Sequence, residues 1–330
     1  MHMPMNTAGE SRISISSGKK IIAVTGATGA QGGGLVRAIL ADKSGEFAVR
    51  GITRKPDSDK APALAKLGVE IVAADLDDEG SLAKAFEGAY GAFCVTNFWE
   101  HFSGGKETAQ GQSLAQAAKK AGVKHVIWST FEDTRKTFPL SDARMPTLKD
   151  KYKVPHFDSK AEANHFFTDL GVPTTFLFTS FYWDNLIGFG MGPKKGPDGK
   201  LAFTLPMGTK KLPGIAAEDI GKCAFGIFKR PDLIGKTVGV AGEHLTGAEM
   251  AAALSHALEQ PVALNAVSPE VYRSFGFPGA DDLGNMFQFK AETESAYCGA
   301  RDLSVCRALN PELQTFAKWL SKNKSRIPLE

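Results

Sequence analysis

Between positions 20 and 240 the chain alternates short unbroken apolar runs with longer stretches whose apolar residues recur at three- and four-residue intervals. The runs at 21–25, 48–53, 70–73, 92–95, 125–128 and 174–178 do not alternate apolar with polar residues, the mark of strands buried on both faces of a parallel sheet. The stretches between them predict helices at 33–41, 61–66, 81–86, 107–121 and 159–170, the last opened by Ser159 and Glu162 at capping-box spacing. Strand and helix in regular succession predict an α/β fold, a Rossmann-type doubly wound parallel sheet with helices on both faces.

After about position 181 the pattern changes. Gly, Pro and Lys collect at 191–200, and helical periodicity returns at 247–258 and 311–321. A strand at 237–240 and a helix at 218–228 are expected to rejoin the first sheet. The predicted organisation is a disordered N-terminal arm over 1–19, a Rossmann domain over 20–180 plus about 211–241, and a smaller α+β C-terminal lobe over about 181–210 plus 242–330 for a substrate or partner.

Composition narrows the partners. The chain has 330 residues, 43% of them hydrophobic, and 39 Lys and Arg against 36 Asp and Glu. The resulting formal charge of +3 is too small to mark a nucleic-acid-binding surface or a membrane-attracted face. Lys194–Lys195 and the group Lys318, Lys322, Lys324 and Arg326 read as solvated surface rather than DNA contacts. Cys94, Cys223, Cys298 and Cys306 lack zinc or redox spacing, and no His-rich motif accompanies them, so no metal is expected and the thiols are expected reduced. No run approaches the roughly 18 apolar residues of a membrane helix, and the first 20 residues lack a signal-like apolar core. The expected location is the cytoplasm, and the nucleus as well in a eukaryote.

The most informative segment follows the first predicted strand. In Gly26-Ala27-Thr28-Gly29-Ala30-Gln31-Gly32 two residues separate each glycine from the next, and the turn opens the first helix. Gly26 permits the tight turn, Gly29 clears a side chain from the path of a pyrophosphate, and Gly32 lets helix lie on strand, with free N–H groups at the helix N-terminus facing phosphate. The second strand ends in Thr53-Arg54-Lys55, with no acidic residue where NAD-binding proteins usually carry one for the adenosine ribose. Arg54 is suited to grip a 2′-phosphate through two parallel bonds, and Lys55 adds a point charge, which favours NADP(H). Asp75 and Leu76 end the third strand and are placed to edge the adenine. Thr96, Asn97 and Phe98 end the fourth, beside pyrophosphate and ribose.

These residues, with Trp99-Glu100, His156-Phe157-Asp158-Ser159-Lys160 and Gly276-Phe277-Pro278-Gly279-Ala280, carry a resemblance. From Lys20 to about Leu320 the chain resembles the NmrA-like family of atypical short-chain dehydrogenases/reductases, and within it the HSCARG-type NADPH sensors. The resemblance implies an NADP(H)-preferring Rossmann domain, a smaller lobe closing over the nicotinamide, and a regulatory role in reading the NADPH/NADP⁺ ratio, with a regulatory protein partner and a homodimeric form as the corresponding partner expectations. It implies that Arg54 meets the 2′-phosphate, and that Ser129, Lys160 and the turn Ser180-Phe181-Tyr182 lie at the nicotinamide half. The chain departs from the sensors at 131–155, where its connection is longer and is expected to be a lid, a partner surface or a mobile spacer.

Catalytic residues are harder to read. Ordinary members of the superfamily place a Tyr four residues before a Lys, so that one helix face presents both. Here Lys160 is preceded at that spacing by His156, and with Ser159 as the helix cap His156 lies before the first turn, where the spacing no longer brings the two together. Tyr152 is eight residues away. Lys160 reads as a ribose ligand or, alternatively, as the acid/base of a reductase of the isoflavone- or quinone-reductase kind, with or without His156. The expected function is an NADP(H)-binding redox sensor with weak or no dehydrogenase activity, the NADPH-dependent reductase being the alternative.

Overall fold

The computed structural model describes residues 18–58 and 60–329, so positions 1–17 of the expected N-terminal arm lie outside the described residues. The strands are β1 (Lys20–Thr25), β2 (Phe47–Thr53), β3 (Glu70–Ala73), β4 (Gly91–Cys94), β5 (His125–Thr130), β6 (Thr174–Phe178), β7 (Phe181–Tyr182), β8 (Lys194–Lys195), β9 (Leu201–Thr204), β10 (Lys211–Ile215), β11 (Thr237–Gly239), β12 (Glu243–Thr246) and β13 (Val262–Asn265). The helices are α1 (Ala30–Ala41), α2 (Lys60–Lys66), α3 (Glu79–Phe86), α4 (Gly104–Lys120), α5 (Pro155–Asp169), α6 (Asn185–Gly188), α7 (Ala217–Phe228), α8 (Gly247–Leu258), α9 (Pro269–Arg273), α10 (Ala280–Glu292), α11 (Glu294–Gly299), α12 (Leu303–Leu309) and α13 (Phe316–Asn323).

Seven strands form one parallel sheet in the order β11-β6-β5-β4-β1-β2-β3. Its unbroken apolar strands are covered on both faces, by Leu35, Val36, Ile220 and Ile227 on one side and by Leu82, Leu114, Ala118 and Ala163 on the other. The chain winds outward in both directions from the β1/β4 pair, which leaves a crevice beyond their C-terminal ends, the place where such sheets bind ligands. Buried Thr25 stitches that point: its hydroxyl lies 3.1 Å from the Phe93 carbonyl and accepts a 2.9 Å bond from the Val95 amide.

The smaller lobe carries two three-stranded sheets, β12-β10-β7 and β13-β9-β8. Residues 211–215, placed in the Rossmann domain by the sequence reading, pair with β7 and β12 and not with the large sheet; only two residues separate the end of β6 from β7. Helix α10 has no counterpart among the predicted helices. Its residues from Asp282 to Lys290 are all buried, polar ones included, so it shows no amphipathic stripe. On α13 the burial of Phe316, Trp319 and Leu320 leaves Lys318 and Lys322 on the exposed face, as read from the sequence. Among the described residues no helix is long and apolar enough to cross a membrane, and no His, Cys, Asp or Glu cluster is arranged to hold a metal.

The connection at 131–155 is a strap packed and hydrogen-bonded against the rest of the chain. Phe138 and Met145 are buried, and the Lys153 ammonium donates to the carbonyls of Asp142 (2.8 Å) and Met145 (2.6 Å). From α10, Asn285 donates to the carbonyls of Pro146 and Lys153, and Gln288 to that of Arg144. The strap thus ties the end of β5 and the start of α5 to the smaller lobe.

Candidate functional site: a cleft between the two lobes

A cleft of about 560 Å³ opens at the C-terminal ends of β1 and β4 and runs inward until α10 closes it. Its outer half is built from backbone. Gly26 adopts φ 61°, which turns β1 into α1, and a Cβ on Gly32 would stand 2.8 Å from the Gly26 carbonyl carbon. No side chain caps α1 at Gly29, and no acidic residue sits in its first turn. The first amides of α1 are therefore left for an anion, with the helix dipole favouring one.

Gly26, Thr28, Gly29, Ala30, Gln31, Gly32, Arg54, Asp75, Leu76, Thr96, Asn97, Phe98, His156, Lys160, Ser180, Phe181 and Tyr182 all line this one cleft. Two sequence-read residues stand apart. Lys55 is exposed and outside the lining. Ser129 lies behind it, donating to Gln31 Oε1 at 2.9 Å while Gln31 Nε2 donates to the Tyr182 phenol at 2.6 Å. Burial raises the Tyr182 pKa to about 12, so this Ser129–Gln31–Tyr182 chain is uncharged and acts as a brace for the turn. Arg54 pairs with Glu100 at 2.5 Å, so the basic end of β2 does meet a carboxylate, supplied by the turn after β4. Sequence distance hid it, because Glu100 is 46 residues from Arg54.

The geometry around Lys160 differs from the expectation. Helix α5 begins at Pro155, not Ser159. Proline at the first helical position is preorganised for the helix, and buried Asp158 reaches back to the amides of Lys153 (2.8 Å) and Val154 (3.0 Å). Ser159 instead donates to the Pro155 carbonyl at 2.7 Å. His156 is therefore inside the first turn, and the four-residue spacing presents both His156 and Lys160 to the cleft.

Lys160 and His156 have separate partners. The Lys160 ammonium contacts Thr96 Oγ1 (2.5 Å), the Thr96 carbonyl (3.1 Å) and Glu107 Oε1 (2.6 Å), which occupies its three donors. Glu107 is fully buried on α4; burial works to raise its pKa, but the Lys160 charge, His101 and Thr96 outweigh it and hold it at about 2. His156 Nδ1 lies 2.5 Å from Asp282 Oδ1 of α10, and its amide donates to Asp282 Oδ2 at 3.2 Å. A carboxylate on Nδ1 fixes the imidazole and leaves Nε2 for a ligand. The ring sits among Trp99 (4.8 Å), Phe157 (4.7 Å) and Phe131 (6.0 Å). Tyr152 is buried against Gly104 and is not part of the lining.

The inner end also contains residues that sequence reading missed. Phe189 and Met191 come from the connection after β7, and Leu283, Met286 and Lys290 from α10. The α10 residues recur at three and four positions, the one local sign that a helix face is aimed at a cavity.

The comparisons agree with this architecture. The profile of the NmrA-like family matches residues 18–320. The chain is 34% identical over 226 residues, 66% of each protein, to the NmrA-like family domain-containing oxidoreductase malD of Malbranchea aurantiaca. It is 30% identical over 297 residues, 84% of this chain and 85% of the relative, to the NmrA-like family domain-containing oxidoreductase FrzB of Cladobotryum sp.. Among solved structures it is similar to NmrA, a negative transcriptional regulator, with TM-score 0.76 and 26% identity over 92% of this chain and 95% of NmrA. NmrA in complex with NAD is similar at TM-score 0.75 and 25% identity over the same shares. With its seven-stranded Rossmann sheet, its glycine turn and a family match that runs through the smaller lobe, the chain belongs to the NmrA-like family.

Proposed function

We propose that the chain is an NADP(H)-dependent oxidoreductase that reduces an apolar carbonyl compound, with His156 as its proton donor. The observation that carries this reading is the Asp282–His156 pair, which holds Nδ1 of a nearly buried, cleft-lining imidazole and leaves its Nε2 without a protein partner among the described residues. The outer half fits a dinucleotide: the uncapped start of α1 receives a pyrophosphate, Gly32 leaves the space a side chain would fill, and Arg54 offers two donors to a 2′-phosphate. NAD in the NmrA complex and the oxidoreductase names of malD and FrzB point the same way.

When bound, the dihydronicotinamide supplies a hydride. Phe131, Phe157 and Phe181 exclude water from the inner end and hold an apolar substrate. His156 is the group that gives a proton, from Nε2, to the substrate oxygen that becomes negative as hydride reaches its carbon, and Asp282 holds the ring in place. Lys160, with its donors occupied, positions Thr96 and the end of β4.

Steady-state NADPH oxidation against a panel of aromatic ketones and quinones tests the reading. His156→Gln is expected to lower kcat about 100-fold with little change in NADPH affinity, and Asp282→Asn to lower kcat by a smaller factor, since it loosens the hold on the ring without removing it. A wild type that binds NADPH and turns over nothing on the panel defeats the reading.

A second reading, a redox sensor that binds NADP(H) without consuming it, is favoured by the engagement of Lys160 and by the likeness to a transcriptional regulator. Sedimentation with NADPH and with NADP⁺ tests it: a change of oligomeric state with one form only, without turnover, supports the sensor.

A further inference from the structure

Lys290 is 2% exposed, and among the described residues no group accepts a hydrogen bond or forms an ion pair with its ammonium. Among the described residues every other buried lysine is answered: Lys160 by Glu107 and Thr96, Lys153 by two carbonyls. Around Lys290 stand rings instead. Its Nζ lies 5.5 Å from the centre of Phe157, 5.8 Å from Phe287 and 5.4 Å from Tyr297. Three π faces lessen the cost of burying a cation but do not take its hydrogen bonds. The side chain lines the inner end of the cleft, one turn of α10 beyond Met286 and two beyond Leu283.

The charged groups nearby do not complete it. The Arg301 guanidinium, itself buried, donates to Glu132 and to the Thr179 carbonyl, so Glu132 is already spent on a stronger partner. The Tyr297 phenol is buried without a hydrogen-bond partner. His156 and Asp282 are occupied with each other across Phe157. Burial, with the Arg301 charge adding to it, pushes the Lys290 pKa down to about 7 against a smaller pull from Glu132.

We propose that Lys290 is the polar anchor of a ligand subsite at the inner end of the cleft, which takes a ring-sized apolar molecule through one anionic oxygen group, such as a carboxylate, phenolate or enolate. The body of the ligand packs between Phe131, Phe189, Met191, Leu283 and Met286, and its oxygen supplies the missing acceptor for the ammonium. The inference deepens the oxidoreductase reading by naming the substrate class, and it rests on the inner end being the substrate site of that reading.

The full chain is titrated with two fluorescent probes of similar shape, anionic 8-anilinonaphthalene-1-sulfonate and neutral N-phenyl-1-naphthylamine. The wild type is expected to bind the sulfonate one-to-one at pH 6, with affinity falling up to about tenfold per pH unit above pH 7 as the free ammonium is lost. Lys290→Met is expected to lose at least about tenfold in sulfonate affinity at pH 6 while holding the neutral probe within about twofold. Lys290→Arg is expected to keep the sulfonate and to flatten the pH profile, since a guanidinium stays charged. Equal sulfonate affinity in the wild type and Lys290→Met overturns the proposal, and so does an equal loss of both probes. NADPH titrated in parallel separates the two readings. A chain that binds no NADPH defeats the oxidoreductase while the sulfonate result stands, whereas NADPH binding without Lys290-dependent sulfonate binding defeats this inference alone.

Discussion

Lys160 and Lys290 face the same cleft from different lobes, both nearly out of reach of water, with opposite surroundings. Lys160 gives its three donors to Thr96 and Glu107, all within 3.1 Å, whereas Lys290 has three aromatic rings and, among the described residues, no acceptor. A buried charge answered by the protein contributes architecture, because breaking the pair strands the survivor in a low dielectric. A buried charge left unanswered costs stability, and that cost is characteristic of sites where a ligand supplies the partner. By this contrast the outer part of the cleft is a preformed cradle and the inner part is an incomplete set of donors.

The strongest way to break the contrast is to remove the answer to Lys160. Glu107→Gln leaves a buried ammonium without its counter-charge and is expected to destabilise the fold by about 3–5 kcal/mol, measured by urea unfolding at pH 7. Adding Lys160→Met is expected to restore part of that loss, and a double variant no more stable than Glu107→Gln alone would show that the pair is not coupled. The pH dependence has a definite sign. The folded Glu107 pKa is depressed from 4.5 to about 2, so its contribution is complete above pH 4.5 and is lost as the pH falls from there toward 2. Glu107→Gln should flatten the acid limb of the stability profile in that window.

The cradle itself depends on Gly32. A Val there places its Cβ inside the Gly26 turn, and NADPH affinity is expected to fall at least about 100-fold, read from the fluorescence of the bound cofactor. This part of the site was legible in the sequence for a physical reason. A phosphate cradle is made of backbone, so its requirement is for missing side chains at fixed local spacing, and seven consecutive residues display it. The parallel sheet was legible in the same way, since strands buried on both faces must be continuously apolar. The inner end was not. Asp282 meets His156 across 126 residues, and α10 hides its periodicity by being buried on every side. The start of α5 was misread because Ser159 and Glu162 mimic a cap that Pro155 and Asp158 provide one turn earlier.

Lys290 offers the converse of the Glu107 prediction. Its pKa falls from 10.5 unfolded to about 7 folded, so between those values the unfolded chain holds a proton the folded chain has lost, and stability rises with pH across the window. The cost of burying the charge is fully present below pH 7. Lys290→Met is therefore expected to stabilise the protein by about 2 kcal/mol at pH 6, with the gain shrinking toward pH 10.5. Urea midpoints at pH 6 and pH 9.5 measure it. Destabilisation at both values would show that Lys290 is a structural residue like Lys160, and the contrast between them would collapse.

The smallest expected effect concerns Arg54, where the protein's own answer is partial. Arg54 pairs with Glu100 at 2.5 Å, but both side chains are about half exposed, so the pair is worth little in stability and competes only weakly with a ligand. A 2′-phosphate brings more charge and matches the guanidinium fork, so the Arg should leave Glu100 for it. Arg54→Ala is expected to weaken NADPH about tenfold and NADH by less than about twofold, since only the former carries the phosphate. Glu100→Gln frees the guanidinium and should tighten NADPH by about two- to threefold. Parallel titrations of both cofactors read the two variants. If Glu100→Gln instead weakens NADH alone, Glu100 serves the adenosine ribose hydroxyls, as an acidic residue at the end of the second strand does in NAD-binding folds, and the outer end of the cleft accepts both cofactors by exchanging which side chain of this pair faces the ribose.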